Sequence, residues 1–263
     1  MLKITGLSVE GKKQKTLIKQ ISFDLKSGKC IGLTGASGSG KTTLIKSIMG
    51  ILDESCRIVS GDITLDGVSL PSLTAKKQRE LCGTVLGFIP QNPMTAFYRY
   101  SKIGKQMEET FCVRLKLSRK DARQLSESTL KSVNMSDTNR ILNSYPDQLS
   151  GGMLQRITMA ILLGLKPRYI LADEPTSALD EDNRAYLLKL FIDYPEDAGI
   201  LFLSHDVTAL KTLCKEILVM ENGQIIERAD TNQLFTNPTQ NWTKQFVSYA
   251  NSQEGSKWAW TEL

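Results

Sequence analysis

Cysteine is scarce and unpatterned in this 263-residue chain. Cys30, Cys56, Cys82, Cys112 and Cys214 are odd in number, widely spread and without a C-x-x-C pair. Such thiols suit a reducing compartment and argue against a disulfide framework or an iron–sulfur cluster. Long apolar runs are missing too. The most apolar helix-like piece, Ile157 to Leu165, is far shorter than the ~20 residues that span a bilayer. The start, Met1-Leu2-Lys3-Ile4-Thr5, has no apolar leader and runs straight into a strand pattern. The chain is therefore expected not to cross a membrane itself, although it can sit against one. Repeats and low-complexity linkers are absent. Charge of one sign is barely in excess, at a net +5. The local basic cluster Lys12, Lys13, Lys15 and Lys19 reads as a solvated hairpin rather than a nucleic-acid patch. Ordinary proportions of hydrophobic (41%) and charged (23%) residues leave a soluble globular protein, long enough for one large α/β domain or a core with a subdomain.

What the chain does have is Gly35-Ala36-Ser37-Gly38-Ser39-Gly40-Lys41-Thr42, which fits G-x-x-x-x-G-K-[ST]. By composition alone such a string arises in roughly one chain in a hundred of this size, and its flanks lower that further. Before it, Cys30 to Thr34 reads as a buried strand; after it, Thr43 to Met49 carries apolar positions at helical spacing and ends at Gly50, a natural C-cap. Strand, glycine loop and helix form the context this motif requires. Glycines let several N–H groups converge, and the helix N-terminus adds partial positive charge there. Lys41 would reach the β- and γ-phosphates, and the Thr42 hydroxyl would coordinate Mg²⁺. The stretch predicts a nucleotide site.

Leu2 to Val9 and Ile18 to Leu25 read as strands, and Gly61 to Gly67 as a short β-ribbon closed by Asp66-Gly67. Leu86 to Ile89 is an apolar strand stopped by Pro90. From Gln91 to about Leu165 the periodicity is helical. Arg168 to Ala172 and Gly199 to Leu203 are continuous apolar runs, as in parallel strands covered on both faces. Asn222-Gly223 marks a hairpin between Ile217–Met220 and Gln224–Glu227. The tail beyond about Asp230, with Trp242, Trp258 and Trp260, looks helical and irregular. The layout is a parallel α/β core interrupted by a helical insertion.

Three further groups carry chemistry. Asp173 and Glu174 end a buried strand at its C-terminal edge, where open α/β sheets bind ligands. There Asp173 would help hold Mg²⁺ and Glu174 would polarise an attacking water. His205, the one histidine, follows the next apolar strand, from which an imidazole could reach a γ-phosphate. Finally, Ser150-Gly151-Gly152 opens a helix over Met153 to Leu163, a second anion site by the same amide and dipole logic. One nucleotide rarely needs two phosphate grips, so this one is expected to close on a nucleotide held by another subunit.

These residues, in this order, resemble the ATP-binding cassette (ABC) ATPases over nearly the whole chain. Walker A is 35–42, the Q-loop glutamine is Gln91, and the signature is Leu149-Ser150-Gly151-Gly152-Gln155. Walker B is 169–174, the D-loop is Ser177-Ala178-Leu179-Asp180, and the switch histidine is His205. The resemblance implies an α/β P-loop NTPase fold with a mainly parallel sheet, an antiparallel β subdomain and a helical subdomain. Residues 1–90 and 166–230 would form the core with its antiparallel part, 91–165 the helical subdomain, and 231–263 a C-terminal extension. It implies ATP bound by Gly35, Ala36, Ser37, Gly38, Ser39, Gly40, Lys41, Thr42 and Thr43, and across a dimer by Ser150, Gly151, Gly152 and Asp180. Mg²⁺ would be held by Thr42, Gln91 and Asp173, with Glu174, His205 and Gln91 catalytic.

Family members commonly stack an aromatic on adenine near Gly11, but no aromatic precedes Phe23 here, and Val9 or Ile18 is expected as the aliphatic contact instead. Pro90-Gln91-Asn92-Pro93-Met94-Thr95-Ala96-Phe97, Ile103-Gly104-Lys105-Gln106, Ser144 to Arg156 and Leu234-Phe235-Thr236-Asn237-Pro238 look like the peptide/nickel importer group, and Met153-Leu154-Gln155-Arg156 is similar to the nickel and metal-chelate import ATPases. The resemblance implies an ATP-hydrolysing importer subunit on the cytoplasmic face of the membrane, taking up nickel or a related metal chelate, or alternatively peptides. Its partners would be a second cassette (a heterodimer by family habit, a homodimer remaining open), transmembrane permeases and a solute-binding protein. A soluble family member acting on ribosomes or DNA is disfavoured by the single cassette and the lack of sustained heptads, and an idle regulatory cassette by the filled catalytic positions.

Overall fold

The computed structural model describes residues 1–177 and 179–252. In chain order it runs through β1 (Leu2–Glu10), β2 (Thr16–Leu25), β3 (Cys30–Gly35), α1 (Lys41–Met49), β4 (Arg57–Leu65), β5 (Val68–Ser69), α2 (Ala75–Leu81) and β6 (Leu86–Ile89). Then come α3 (Ile103–Leu115), α4 (Arg119–Ser132), α5 (Thr138–Asn143), α6 (Gly151–Leu165), β7 (Tyr169–Asp173) and α7 (Glu181–Ile192). The remainder is β8 (Gly199–Leu203), α8 (Val207–Leu213), β9 (Glu216–Glu221), β10 (Gln224–Asp230), α9 (Thr231–Thr236) and α10 (Asn241–Ser252). Two compact units result, one built from Met1–Gln78 with the described chain from Gly199 onward, the other from Arg79–Ala198.

In the first unit β3 lies between β8 and β9, parallel to both, and β10 adds to β9 in the antiparallel sense. Strand β3 is buried at every residue but Cys30, the pattern of a parallel strand covered on both faces. The β9–β10 hairpin turns at Asn222 (φ 47°) and Gly223 (φ 79°), both left-handed, as a tight two-residue turn between twisted strands requires. A second, antiparallel sheet runs β2-β1-β4-β5 and closes at Asp66 (φ 50°) and Gly67 (φ 84°). The sequence marks only Gly61 to Gly67 as a ribbon, yet β4 begins at Arg57. Pairing with β1, through Val9↔Ile58 and Glu10↔Arg57, supplies ladder partners that no local pattern reveals. The lysines at 12, 13, 15 and 19 are all exposed.

The second unit holds the parallel pair β6–β7 and the helices of residues 103–165. Its core centres on Phe111, fully buried, against α6 at Gly164, where an added Cβ would lie 2.6 Å from the ring. Ser118 and Asp137 cap α4 and α5 by accepting from backbone amides. No buried residue marks α2, so it carries no amphipathic signal that a sequence pattern could reveal.

The tail folds into α9 and α10 as helices; Trp258 and Trp260 lie outside the described residues. Trp242 stacks on Phe246 with ring centroids 5.1 Å apart, and Phe235 lies 6.1 Å from Phe246. The lead-in to α10 is pinned by Glu227 of β10, which accepts from Thr239 N and Oγ1 (2.8 Å each) and from Gln240 N (3.1 Å). Burial pushes the Glu227 carboxyl up, but the hydrogen bonds from Thr239 and Gln240 outweigh it and hold the group below the ordinary glutamate value. A depressed native pKa contributes stability above the unfolded pKa that is lost as the pH falls through the native one. We therefore predict that Glu227→Gln lowers stability by about 1–3 kcal/mol at pH 7. The gap to wild type should close below about pH 4. Thermal denaturation across pH measures both, and equal melting temperatures at neutral pH would contradict the assignment.

Candidate functional site: two anion grips and an acidic strand end

In the first unit the glycine loop leaves β3 at Gly35 and ends at α1. Gly35 (φ 142°) sits so close to β9 that a Cβ would come 1.9 Å from the Met220 carbonyl oxygen. Gly40 (φ 102°) precedes α1, and its Cβ would lie 2.6 Å from Leu17 O. Gly223 N donates to Ser39 O at 3.1 Å, tying the loop to the β9–β10 hairpin. These approaches leave glycine as the residue that fits. Gly38 (φ 74°) has open space around it.

Helix α1 starts without a side-chain cap, and a helix N-terminus carries partial positive charge that suits an anion. Lys41 is buried, and its Nζ donates to Gly35 O (2.7 Å) and Ala36 O (3.0 Å), arching over the loop. The Ser39 hydroxyl is buried with no hydrogen-bond partner among the described residues. Ser37, Gly38 and Thr42 are exposed, and Ala36, Gly40 and Thr43 half-buried. An uncapped helix start, an orphaned hydroxyl and an inward ammonium suit a phosphate chain, so the residues here fit a nucleotide.

Strand β8 runs parallel to β3 with Leu33 opposite Leu203, and Ser204 N donates to Leu33 O at 3.2 Å. His205, half-buried, therefore leaves the sheet at the same end as the glycine loop. Asp206 behind it caps α8 by accepting from Ala209 N at 3.1 Å. The aliphatic contact expected of Val9 or Ile18 is corrected: both are fully buried, because their alternating strand positions face the core. Leu17 is half-exposed and lies beside Gly11, whose Cβ would meet Leu17 Cδ1 at 2.9 Å.

In the second unit β6 and β7 pair with Ile89 opposite Ala172, so Gln91 and the Asp173-Glu174 pair emerge at one edge. Asp173 is buried. Gln91 Nε2 donates to Glu174 Oε2 at 3.3 Å. Glu174 holds a left-handed backbone (φ 46°), uncommon for a non-glycine, and its carbonyl accepts from Ser177 N (3.2 Å) and Ser177 Oγ (3.0 Å). Backbone strain of this kind costs about 1–3 kcal/mol and gathers at functional positions.

Helix α6 starts at Gly151, two residues before the expected Met153. Ser150 caps it, accepting from Met153 N at 3.3 Å. Ser150 and Gly151 are exposed, and a Cβ on Gly151 would meet nothing within 4 Å, which leaves this helix start open to a large anion. Gln155, grouped with them in the sequence, is instead buried. Of the D-loop, Ala178 lies outside the described residues. Asp180 caps α7, accepting from Asn183 N (2.9 Å) and Asn183 Nδ2 (2.6 Å). Those hydrogen bonds, with Arg156 nearby, hold its carboxyl below the ordinary aspartate value. Asn183 is a residue that motif reading missed; an amide three positions after a capping aspartate was the available signal.

Comparison with known proteins bears on the whole arrangement. The sequence profile described as "ABC transporter" matches residues 18–177. The metal-staphylopine import system ATP-binding protein CntD of Staphylococcus aureus (strain Mu50) is 37% identical over 88% of this chain and 86% of its own. The oligopeptide transport ATP-binding protein OppD of Lactococcus lactis (strain SK11) is 33% identical over 91% of this chain and 71% of its own. Among solved structures, the cassette MJ0796 dimer in a post-hydrolysis state with ADP and Pi superposes with a TM-score of 0.78 at 22% identity, covering 88% of this chain and 99% of that one. CbiO1 of Clostridium perfringens gives 0.74 at 23% identity, with 96% and 95% covered. At such identities the superpositions speak to the fold, an α/β cassette.

The glycine contacts separate two kinds of cost. We predict that Gly38→Ala lowers stability by only about 1–2 kcal/mol, the left-handed penalty alone. Gly35→Ala forces backbone against backbone and should exceed roughly 3 kcal/mol. Chemical denaturation of both variants gives the comparison, and equal losses would contradict the close approach of β3 and β9.

Proposed function

The chain belongs to the ABC transporter family, and from that premise we propose that it is the ATP-binding and ATP-hydrolysing subunit that energises a bacterial importer of nickel or a related metal chelate. The observation that carries the reading is the pair of phosphate grips, the glycine loop at α1 and the open, Ser150-capped start of α6. One nucleotide needs one such grip. The second serves a nucleotide bound by another cassette, so two cassettes pair head to tail, each completing the other's reaction centre.

Within that frame Lys41 and the amides of residues 35–43 bind the phosphates. Thr42, Asp173 and Gln91 are the residues to hold Mg²⁺, which when bound offsets phosphate charge during phosphoryl transfer. The Glu174 carboxylate accepts the proton of the attacking water. Gln91 orients that carboxylate through its 3.3 Å hydrogen bond, and with His205 it senses the γ-phosphate. Ser150, Gly151, Gly152 and Asp180 contact the nucleotide of the partner cassette. Closure on ATP and reopening after hydrolysis are transmitted to transmembrane permeases, which a solute-binding protein loads, and the subunit sits peripherally on the cytoplasmic face. No helix among the described residues is long and apolar enough to cross a membrane.

The metal-chelate cargo is favoured by the metal-staphylopine relative at 37% identity over most of both chains. A di- or oligopeptide cargo is the second reading, favoured by the relatives named as oligopeptide and dipeptide transport proteins. Nickel and dipeptide accumulation in cells with and without the chain separates them.

Two variants test the chemistry. Glu174→Gln should bind ATP and form a stable closed dimer while turnover falls about 10²–10⁴-fold, the usual worth of a general base; wild-type turnover would remove Glu174 from the role. Ser150→Arg should abolish hydrolysis and leave nucleotide binding to the isolated chain intact. Loss of that binding would contradict a grip that acts on the partner's nucleotide.

A further inference from the structure

Helix α6 and the start of α7 are joined by an asparagine that bonds in two directions at once. Arg156, one turn beyond Gly152, donates from Nη2 to Asn183 Oδ1. The other end of the same amide, Nδ2, donates to Asp180 Oδ2 at 2.6 Å, and Asn183 N donates to Asp180 Oδ1 at 2.9 Å. A Cβ on Gly152 would lie 3.7 Å from Asn183 Nδ2 and 3.6 Å from Leu179 Cδ2, so the backbone of the signature packs directly on this junction. The Arg156 guanidinium also lies over the Tyr186 ring, 5.0 Å from its centroid, and Tyr186 OH donates to Ser132 O at 3.3 Å.

The chemistry at position 183 is selective. A side chain there must accept from a cation and donate to a carboxylate over one short span, and a primary amide does both. Aspartate could accept from Arg156 but could not donate to Asp180, and would face it with like charge. Among the described residues of the segment between Glu174 and Asp180, Ser177 N and Oγ donate to Glu174 O, and Leu179 N donates to Thr176 O. Displacement at the α6 start therefore has a bonded route, through Arg156, Asn183 and Asp180, to the segment that carries Glu174.

We propose that Arg156 and Asn183 are positioning residues that couple the two reaction centres of the paired cassettes. The Ser150 grip on the partner's nucleotide sets the Asp180 end of the loop that carries this chain's own Glu174. The proposal rests on the head-to-tail pairing above, under which one chain's signature and its Glu174 serve different nucleotides. Neither residue need touch nucleotide. Removing the link should loosen communication between the centres and leave each able to bind ATP.

The test is steady-state hydrolysis against ATP concentration in the assembled transporter, for wild type, Asn183→Ala, Arg156→Ala, the double variant and Asn183→Asp. Wild type should respond cooperatively to ATP. Each single alanine variant should lose about tenfold in turnover, within the range of coupling between sites, and lose the cooperativity. Affinity of the isolated chain for a fluorescent ATP analogue should stay as in wild type. The double variant should be no worse than either single, because both break one link. Asn183→Asp, a good residue for a helix first turn, should fold as wild type and behave like alanine. Retained cooperativity in Asn183→Asp, or single losses that multiply in the double variant, would overturn the relay while leaving the paired reading intact. A non-cooperative wild type active as a strict monomer would overturn both.

Discussion

The first unit depends on three places where backbone meets backbone, two of them with no room for a side chain. Gly35 abuts the Met220 carbonyl, Gly40 abuts Leu17 O, and Ser39 O takes a hydrogen bond from Gly223 N. Each contact joins the glycine loop to a different part of the unit: β9, β2 and the β9–β10 hairpin. The loop is thus held from outside in a conformation that an isolated peptide would not keep, since its glycines lose more conformational entropy on ordering than any other residue. At the end of that held loop α1 starts without a side-chain cap, its positive end suited to an anion.

The second unit uses a different device for the same end. Here polar side chains do the holding. Ser177 fixes the carbonyl of a left-handed Glu174, Gln91 fixes its carboxylate, and Asn183 fixes Asp180 while Arg156 fixes Asn183. Such a network is worth more than isolated pairs when every member is satisfied, and fails at whichever member is not. The rigid part of each unit is therefore placed behind the groups that must be exact, with Ser150, Gly151 and Thr42 left open to solvent.

Legibility in the sequence followed the range of the interactions involved. The glycine loop, the Asn222-Gly223 and Asp66-Gly67 turns, the buried run of β3 and the serine cap of α6 are each governed by residues within a few positions of one another, and each is found close to where its local chemistry indicates. Misses occur where the deciding partner is remote in sequence. The start of β4 at Arg57 comes from β1, and the burial of Val9 and Ile18 from the core that the sheet faces. Asn183 gains its importance from Arg156, 27 positions away.

From the sequence alone came the phosphate-binding loop, the two acids ending an apolar strand, the lone histidine after the next one, the second glycine-fronted helix and the family they belong to. Those features are set by short-range sterics and by residue chemistry, which a string of letters carries in full. Tertiary structure decided which aliphatic side chain is left half-exposed near Gly11, which glycines are compelled by a neighbouring carbonyl, and which amide joins the signature helix to Asp180. Burial and close approach are set by distant segments brought together in folding, and no local pattern contains that information.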